Sequence, residues 1–295
     1  MFLAKLLRNI RPWGFKNLSI YDVASFFWTG LMEGSITTRA SSIAFNFFLA
    51  FFPAIIFLFT LIPYIPINNF QTTLMDILYS VLPPSTNEAA TNTVSDIINN
   101  PRGGLLSIGF LLALYFSTSG VSSLIEAFNS SYHIKESRSF LYQKYISLIL
   151  TLILSAMLFL TITIIIFGQT YLNMFIEKYN IIGDYRYLFP LIKWIFMSLF
   201  LFLGISIVFN IAPNLKQRWR FISPGTMFST VFIIIGSIIF SYYINNFSQY
   251  NQIYGSISTL MIILLWMYFN SIILITGLEL NASIVNAAKN KEELI

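Results

Sequence analysis

The sequence predicts an all-α polytopic membrane protein with six transmembrane helices and additional amphipathic helices lying in the interfaces. Composition, hydropathy and the lengths of the apolar runs carry that prediction. Of 295 residues, 56% are hydrophobic and 10% charged, too little charge to coat a soluble domain of this size. Mean hydropathy is +0.73, and 30 phenylalanines supply apolar surface for lipid as well as for a protein core. The apolar residues gather into runs of roughly 20 or more, enough for a helix to cross hydrocarbon about 30 Å thick.

Taken in order, the elements form one membrane domain over residues 1–295. Residues 19–39 place Val23, Phe26, Phe27, Leu31 and Ile36 at helical spacing, interrupted by Asp22, Glu33 and Gly34, as in a helix lying in the inner interface. The first span, 40–63, contains Pro53 and Pro63, which kink or end it. Residues 68–99 carry Phe70, Leu74, Leu78 and Val81, then Pro83-Pro84, then Val94, Ile97 and Ile98. That pattern reads as two short amphipathic helices joined at the prolines. Further spans follow at 104–128, 142–168, 188–211, 223–246 and 257–284. Pro213-Asn214 closes the fourth, and Pro224-Gly225 opens the fifth.

Charge placement gives the orientation. Within the spans the acids are Glu126 and Glu279 and the bases Lys144 and Lys193, all near an end, where side chains reach water. On alternating sides, Lys5, Arg8, Arg11, Lys16, Arg39, Lys135, Arg138, Lys144, Lys216, Arg218, Arg220, Lys289 and Lys291 face one compartment. Arg102, Lys178, Arg186 and Lys193 face the other, completing the 17 lysines and arginines. The richer side is the cytoplasm, so both termini are expected there. The net charge of +5 therefore reports orientation, and no nucleic-acid partner is expected. The basic segment 1–18 lacks the apolar core of a cleaved signal peptide.

Enzyme chemistry is not expected. The chain has no cysteine and one histidine, His133, which removes thiolate nucleophiles and leaves little for a metal site. No phosphate-binding glycine loop, nucleophile elbow or zinc-protease motif occurs, and no cofactor or metal is expected.

The polar residues inside the apolar runs are the candidates for a substrate path. Ser119, Ser122, Glu126 and Asn129 follow one another at three- and four-residue intervals, giving one polar face to the second span. That face lines either a wet cavity or a hydrogen-bonded seam between helices. Glu279 stands about 13 Å from the centre of the last span and Glu126 about 15 Å from the centre of its own, both toward the cytoplasm. Each carboxylate alone suits a pairing with Arg39 or Lys144, and two at one depth suit a shared polar site. Asn270 and Asn46, deeper in the apolar runs, need partners. Gly225 with Ser229, and Ala40 with Ala44, are small-residue pairs that let helices approach closely.

Several of these residues fall in fragments that resemble the YihY/virulence factor BrkB family of bacterial inner-membrane proteins. They are Ala44-Phe45-Asn46-Phe47 before Phe52-Pro53, Glu126-Ala127-Phe128-Asn129, Ala212-Pro213-Asn214 before Trp219-Arg220, and Ser223-Pro224-Gly225. Tyr254-Gly255-Ser256, Leu264-Leu265-Trp266-Met267-Tyr268 and Gly277-Leu278-Glu279-Leu280-Asn281 complete the series. The resemblance covers nearly the whole chain and implies a six-helix protein of the bacterial cytoplasmic membrane. It also brings an old label of tRNA-processing ribonuclease, which conflicts with a single histidine and the lack of an acidic cluster. The residues fit better a transporter moving an amphiphilic, lipid-like substrate between leaflets, with membrane lipids as partners. A non-transporting scaffold of the cell envelope is the alternative.

Overall fold

The computed structural model describes residues 12, 15, 18–33, 35–64, 102–131, 137–178, 188–214, 221–246 and 256–293. Among these, the regular elements are helices: α1 (Ile20–Glu33), α2 (Ile36–Leu61) with a 3-10 turn at Ile62–Tyr64, α3 (Gly103–Ser131), α4 (Phe140–Lys178), α5 (Leu188–Ile211), α6 (Pro224–Asn246) and α7 (Ser256–Glu293). The amphipathic helices expected over 68–99 lie outside the described residues, as does His133. Helices α2 to α7 each contain a stretch long and apolar enough to cross a membrane: Ile36–Leu58, Gly103–Ser131, Phe140–Ile165, Leu191–Ile211, Pro224–Ile244 and Thr259–Ala288. All six stretches overlap those read from the sequence.

The first helical region differs in detail from the expectation. Residues 19–39 form two helices rather than one, because Ser35 takes a left-handed backbone conformation with φ 42°, which stops α1 and starts α2. Arg39 thereby joins the first turns of a spanning helix. The last helix also runs beyond residue 284, because its extension has a docking face: Ile284 and Ala287 are buried with Leu18 and Val23, where Phe15, Phe26, Leu280 and Ala288 pack around them.

The chain divides into two compact units, Asn46–Gly120 and the remainder, Met1–Phe45 with Val121–Ile295. In the smaller unit, glycines let α2 and α3 approach. A Cβ on Gly109 would stand 3.2 Å from the Phe57 backbone nitrogen, and one on Gly120 would stand 3.0 Å from the Phe47 ring. The Phe57 and Phe110 rings meet at 5.4 Å. Pro53 is buried inside α2, where it removes one backbone donor from the ladder.

In the larger unit, α1 packs on α7, α7 on α6, α6 on α5 and α5 on α4. The second part of α3 contributes Val121, Leu124, Ile125 and Phe128 to the core, with Phe128 edge-on to Phe209 of α5 at 5.4 Å. Side chains fix the helix starts. Ser19 and Asp22 form a capping box at α1: the Ser19 hydroxyl accepts the Asp22 N–H at 3.2 Å, and the Ser19 N–H donates to the Asp22 carboxylate at 3.4 Å. Ser223 caps α6 by accepting the Thr226 N–H at 3.2 Å, ahead of Pro224 at the first helical position. Large apolar residues point outward in this unit, with Leu158 65% and Phe159 69% exposed, as helices that face lipid require.

Candidate functional site

One polar cavity stands out in the larger unit, a space of about 520 Å³ partly open to the surface and lined by Phe26, Thr29, Gly30, Ser35, Arg39, Ser130, Ser131, Glu279, Ser283 and Asn286. It is assembled where the end of α1, the start of α2, the end of α3 and the later part of α7 converge. Among the described residues, the charged ones lining it are Arg39 and Glu279.

The position of Arg39 follows from the break at Ser35, which brings the first turns of α2 against the end of α3. The Nη1 of Arg39 donates to the Ala127 carbonyl at 2.9 Å and to the Ser131 hydroxyl at 2.8 Å. The Ala127 carbonyl lies near the C-terminal end of α3, the negative end of the helix dipole, so a cation is favourable there. The Arg39 Nη2 faces the Glu279 Oε2 at 3.9 Å, with side-chain exposures of 11% and 4%. That separation is an ion pair without a hydrogen bond. The Arg39 Nε is buried without a hydrogen-bond partner among the described residues, and so is the Ser283 hydroxyl one turn along α7 from Glu279. Among the described residues the cavity thus holds a positive group, a negative group and spare hydrogen-bonding capacity on Arg39 and Ser283.

Gly30 makes room for the carboxylate. A Cβ at position 30 would collide with the Glu279 side chain, its carboxylate included, so α1 offers Glu279 a place because residue 30 has no side chain. Glu279 therefore lies against bare backbone of α1 on one side, with Arg39 on another.

The other path candidates are distributed differently. Ser122 is buried and spent on a seam: its hydroxyl donates to Ser147 of α4 at 3.0 Å and accepts from Lys144 Nζ at 3.1 Å. Asn129 is buried too, and its Oδ1 accepts the Asn214 N–H at 2.8 Å, tying the end of α3 to the segment after α5. Glu126 is exposed. It stands one helical turn from Ser130, on the same side of α3, and is not among the residues lining the cavity. Ser119 is half-buried in the smaller unit. Asn270 is half-buried and donates to the Trp266 carbonyl of its own helix at 2.7 Å. It lines a second, apolar cleft of about 490 Å³ between α6 and α7, with Phe240, Tyr243, Trp266 and Phe269 among its walls.

Sequence reasoning treated Arg39 only as a partner for a carboxylate and missed Gly30, Ser131 and Ser283. The signal was present in part. Small and hydroxyl residues at 130, 131 and 283 flank the ends of apolar runs, but which helix faces meet cannot be read from spacing alone. Asn281 was likewise missed as a cap: its Oδ1 accepts the Gly225 N–H and its Nδ2 donates to the Ser223 hydroxyl, both at 2.9 Å. Among the described residues no three His, Cys, Asp or Glu side chains gather as metal ligands would.

Comparison with known proteins gives the chain its relatives. It is 29% identical over 263 residues, covering 89% of this chain and 94% of the relative, to the putative ribonuclease-like protein YfkH of Bacillus subtilis (strain 168). It is 22% identical over 278 residues, covering 94% of this chain and all of the relative, to the UPF0761 membrane protein NTHI0384 of Haemophilus influenzae (strain 86-028NP). A UPF0761 membrane protein of Alteromonas mediterranea is 25% identical over 272 residues, covering 92% of this chain and 90% of the relative. No solved structure matches. The sequence profile described as virulence factor BrkB matches residues 27–294, and with six membrane-crossing helices beneath that match, the chain belongs to the virulence factor BrkB family of membrane proteins.

Proposed function

We propose that this protein is a transporter of the bacterial cytoplasmic membrane that moves an amphiphilic, lipid-like substrate between leaflets, with both termini in the cytoplasm. The observation that carries the reading is the cavity containing the Arg39–Glu279 pair. It provides a charged, hydrogen-bonding recess inside otherwise apolar helices, at the end where the bases concentrate. The apolar cleft around Asn270 supports the same reading from the other side of amphiphile chemistry. Asn270 and Glu279 are nine residues apart on α7, about 13 Å along its axis. One helix thus carries a polar recess and an aromatic-walled groove in succession, suited to a headgroup and to acyl chains. Glu126, one turn from Ser130, extends the polar side of α3 beyond the recess. No hydrolytic step is assigned, and the ribonuclease-like name stays with the Bacillus relative.

Reconstitution in liposomes containing fluorescent phospholipids tests the reading, with leaflet exchange followed by dithionite quenching against empty liposomes. Exchange above the control that falls in the Glu279→Gln protein is the expected result. A second reading, a non-transporting envelope scaffold, is favoured by the tight α6–α7 seam, where a Cβ on Gly225 would run into the Gly277 carbonyl. Absence of exchange for every lipid class, from protein that melts cooperatively, would select the scaffold.

A further inference from the structure

The charges in the Arg39–Glu279 cavity restrict what it can hold. A simple anion would meet the Glu279 carboxylate, and a simple cation would meet the Arg39 guanidinium, each across a short distance in a poorly solvated recess. The pair itself is separated by 3.9 Å and lacks the short hydrogen bond of a closed ion pair. With Nη1 committed to Ala127 and Ser131, the guanidinium keeps its Nε–Nη2 edge, and among the described residues the Nε is without a partner. Such an edge grips an oxyanion through two N–H donors. On α7, the Glu279 carboxylate and the unpartnered Ser283 hydroxyl are acceptors suited to an ammonium N–H. The volume of about 520 Å³ is many times the roughly 30 Å³ share of one water.

We infer that the Arg39–Glu279 cavity binds a compact zwitterion carrying a phosphate and a primary ammonium, as in a phosphoethanolamine headgroup. The phosphate lies on the Nε–Nη2 edge of Arg39 and the ammonium lies between Glu279 and Ser283. This names the substrate class of the transport reading and rests on it for the lipid form of the ligand. A quaternary ammonium has no N–H to donate to Glu279, and a glycerol headgroup has no cation, so phosphatidylcholine and phosphatidylglycerol are disfavoured.

The test is native mass spectrometry of the full chain in detergent, titrated with phosphatidylethanolamine, phosphatidylcholine and phosphatidylglycerol of matched acyl chains. Phosphatidylethanolamine should be retained about tenfold more strongly than either, the worth of one hydrogen bond to a charged group. Glu279→Gln leaves the cavity with a net positive charge and should turn the preference toward phosphatidylglycerol, a reversal that mere loss of packing would not give. Gly30→Ala pushes the Glu279 side chain from Cγ outward off its place against α1, so it should lower the phosphatidylethanolamine preference while leaving Arg39, and binding of the phosphate, in place. Soluble O-phosphoethanolamine distinguishes the two sources of this chemistry: competition at equal concentration assigns the site to a free metabolite, and failure to compete assigns it to lipid. Equal retention of the three lipids by the native chain, or a preference unmoved by both Glu279→Gln and Gly30→Ala, would overturn the inference. Headgroup selectivity without leaflet exchange would overturn the transport reading and leave the site standing, whereas exchange without selectivity would overturn the site alone.

Discussion

Arg39 bears on the folded state as well as on the cavity, because it joins three elements: α2 carries it, α3 accepts its hydrogen bonds and α7 faces it with a carboxylate. Arg39→Gln removes the positive partner of a buried acid and the cation at the end of α3. It should lower stability by about 2–4 kcal/mol, the scale of breaking a buried pair, seen as a drop in the melting temperature of purified protein in detergent. The double substitution Arg39→Gln with Glu279→Gln should recover part of that loss, since no uncompensated charge remains, and a strictly additive cycle would show that the two do not interact. Glu126 provides the contrast. It is exposed, so Glu126→Gln should leave the melting temperature unchanged and reduce leaflet exchange less than Glu279→Gln does. Depth along a helix follows from counting residues, so the sequence yields an expected depth for both acids. Direction around a helix depends on which neighbour it meets, and only the packing of α7 on α1, with Gly30 as the opening, separates a buried Glu279 from an exposed Glu126.

The helices were legible because apolar length alone specifies a spanning helix, with every backbone group satisfied inside it. Their partners were not, since all six runs are apolar around most of their circumference. The α6–α7 pair shows what decides contact. Gly277 would place a Cβ against Ser229 and the Gly225 carbonyl, whereas one on Gly236 would meet only the end of the Ile273 side chain at 3.6 Å. Gly277→Ala should therefore cost about 1–3 kcal/mol through overpacking, and Gly236→Ala should be neutral or gain up to about 1 kcal/mol of helix propensity. Thermal melts of the two alanine variants in one detergent check the contrast, and equal melting temperatures would contradict this packing. Asn281→Leu removes the acceptor for the Gly225 N–H and the donor to Ser223, and should cost about 1–2 kcal/mol, as lost caps do. The small-residue pair Gly225 and Ser229 was readable in the sequence as a close-packing surface. Its partner Gly277 was not, because it sits on a different helix and beside an acid that drew the functional reading.

For the molecule in its membrane, orientation follows from electrostatics outside the hydrocarbon. Translocating Lys and Arg is unfavourable, so the proposed orientation puts the side retaining most of the 17 bases in the cytoplasm. In that orientation the Arg39–Glu279 cavity is expected at the inner surface, because Ser131 at the end of α3 and Arg138 shortly after it lie on that side of the chain's path. The same orientation predicts that the sequence segment 67–103 is outside. The native chain has no cysteine, so a single introduced thiol reports its own compartment without background. Thr86→Cys should react with an impermeant maleimide added to intact cells, and Ser137→Cys, exposed in the segment before α4, should react only after the cells are opened. If Ser137→Cys is labelled in intact cells while Thr86→Cys is protected, the cavity faces the outside and any headgroup it takes must come from the outer leaflet. Labelling of both in intact cells would mean that a span has been missed or invented between them, and α3, with Glu126 and Asn129 near its end, is the helix that such a result would remove from the membrane.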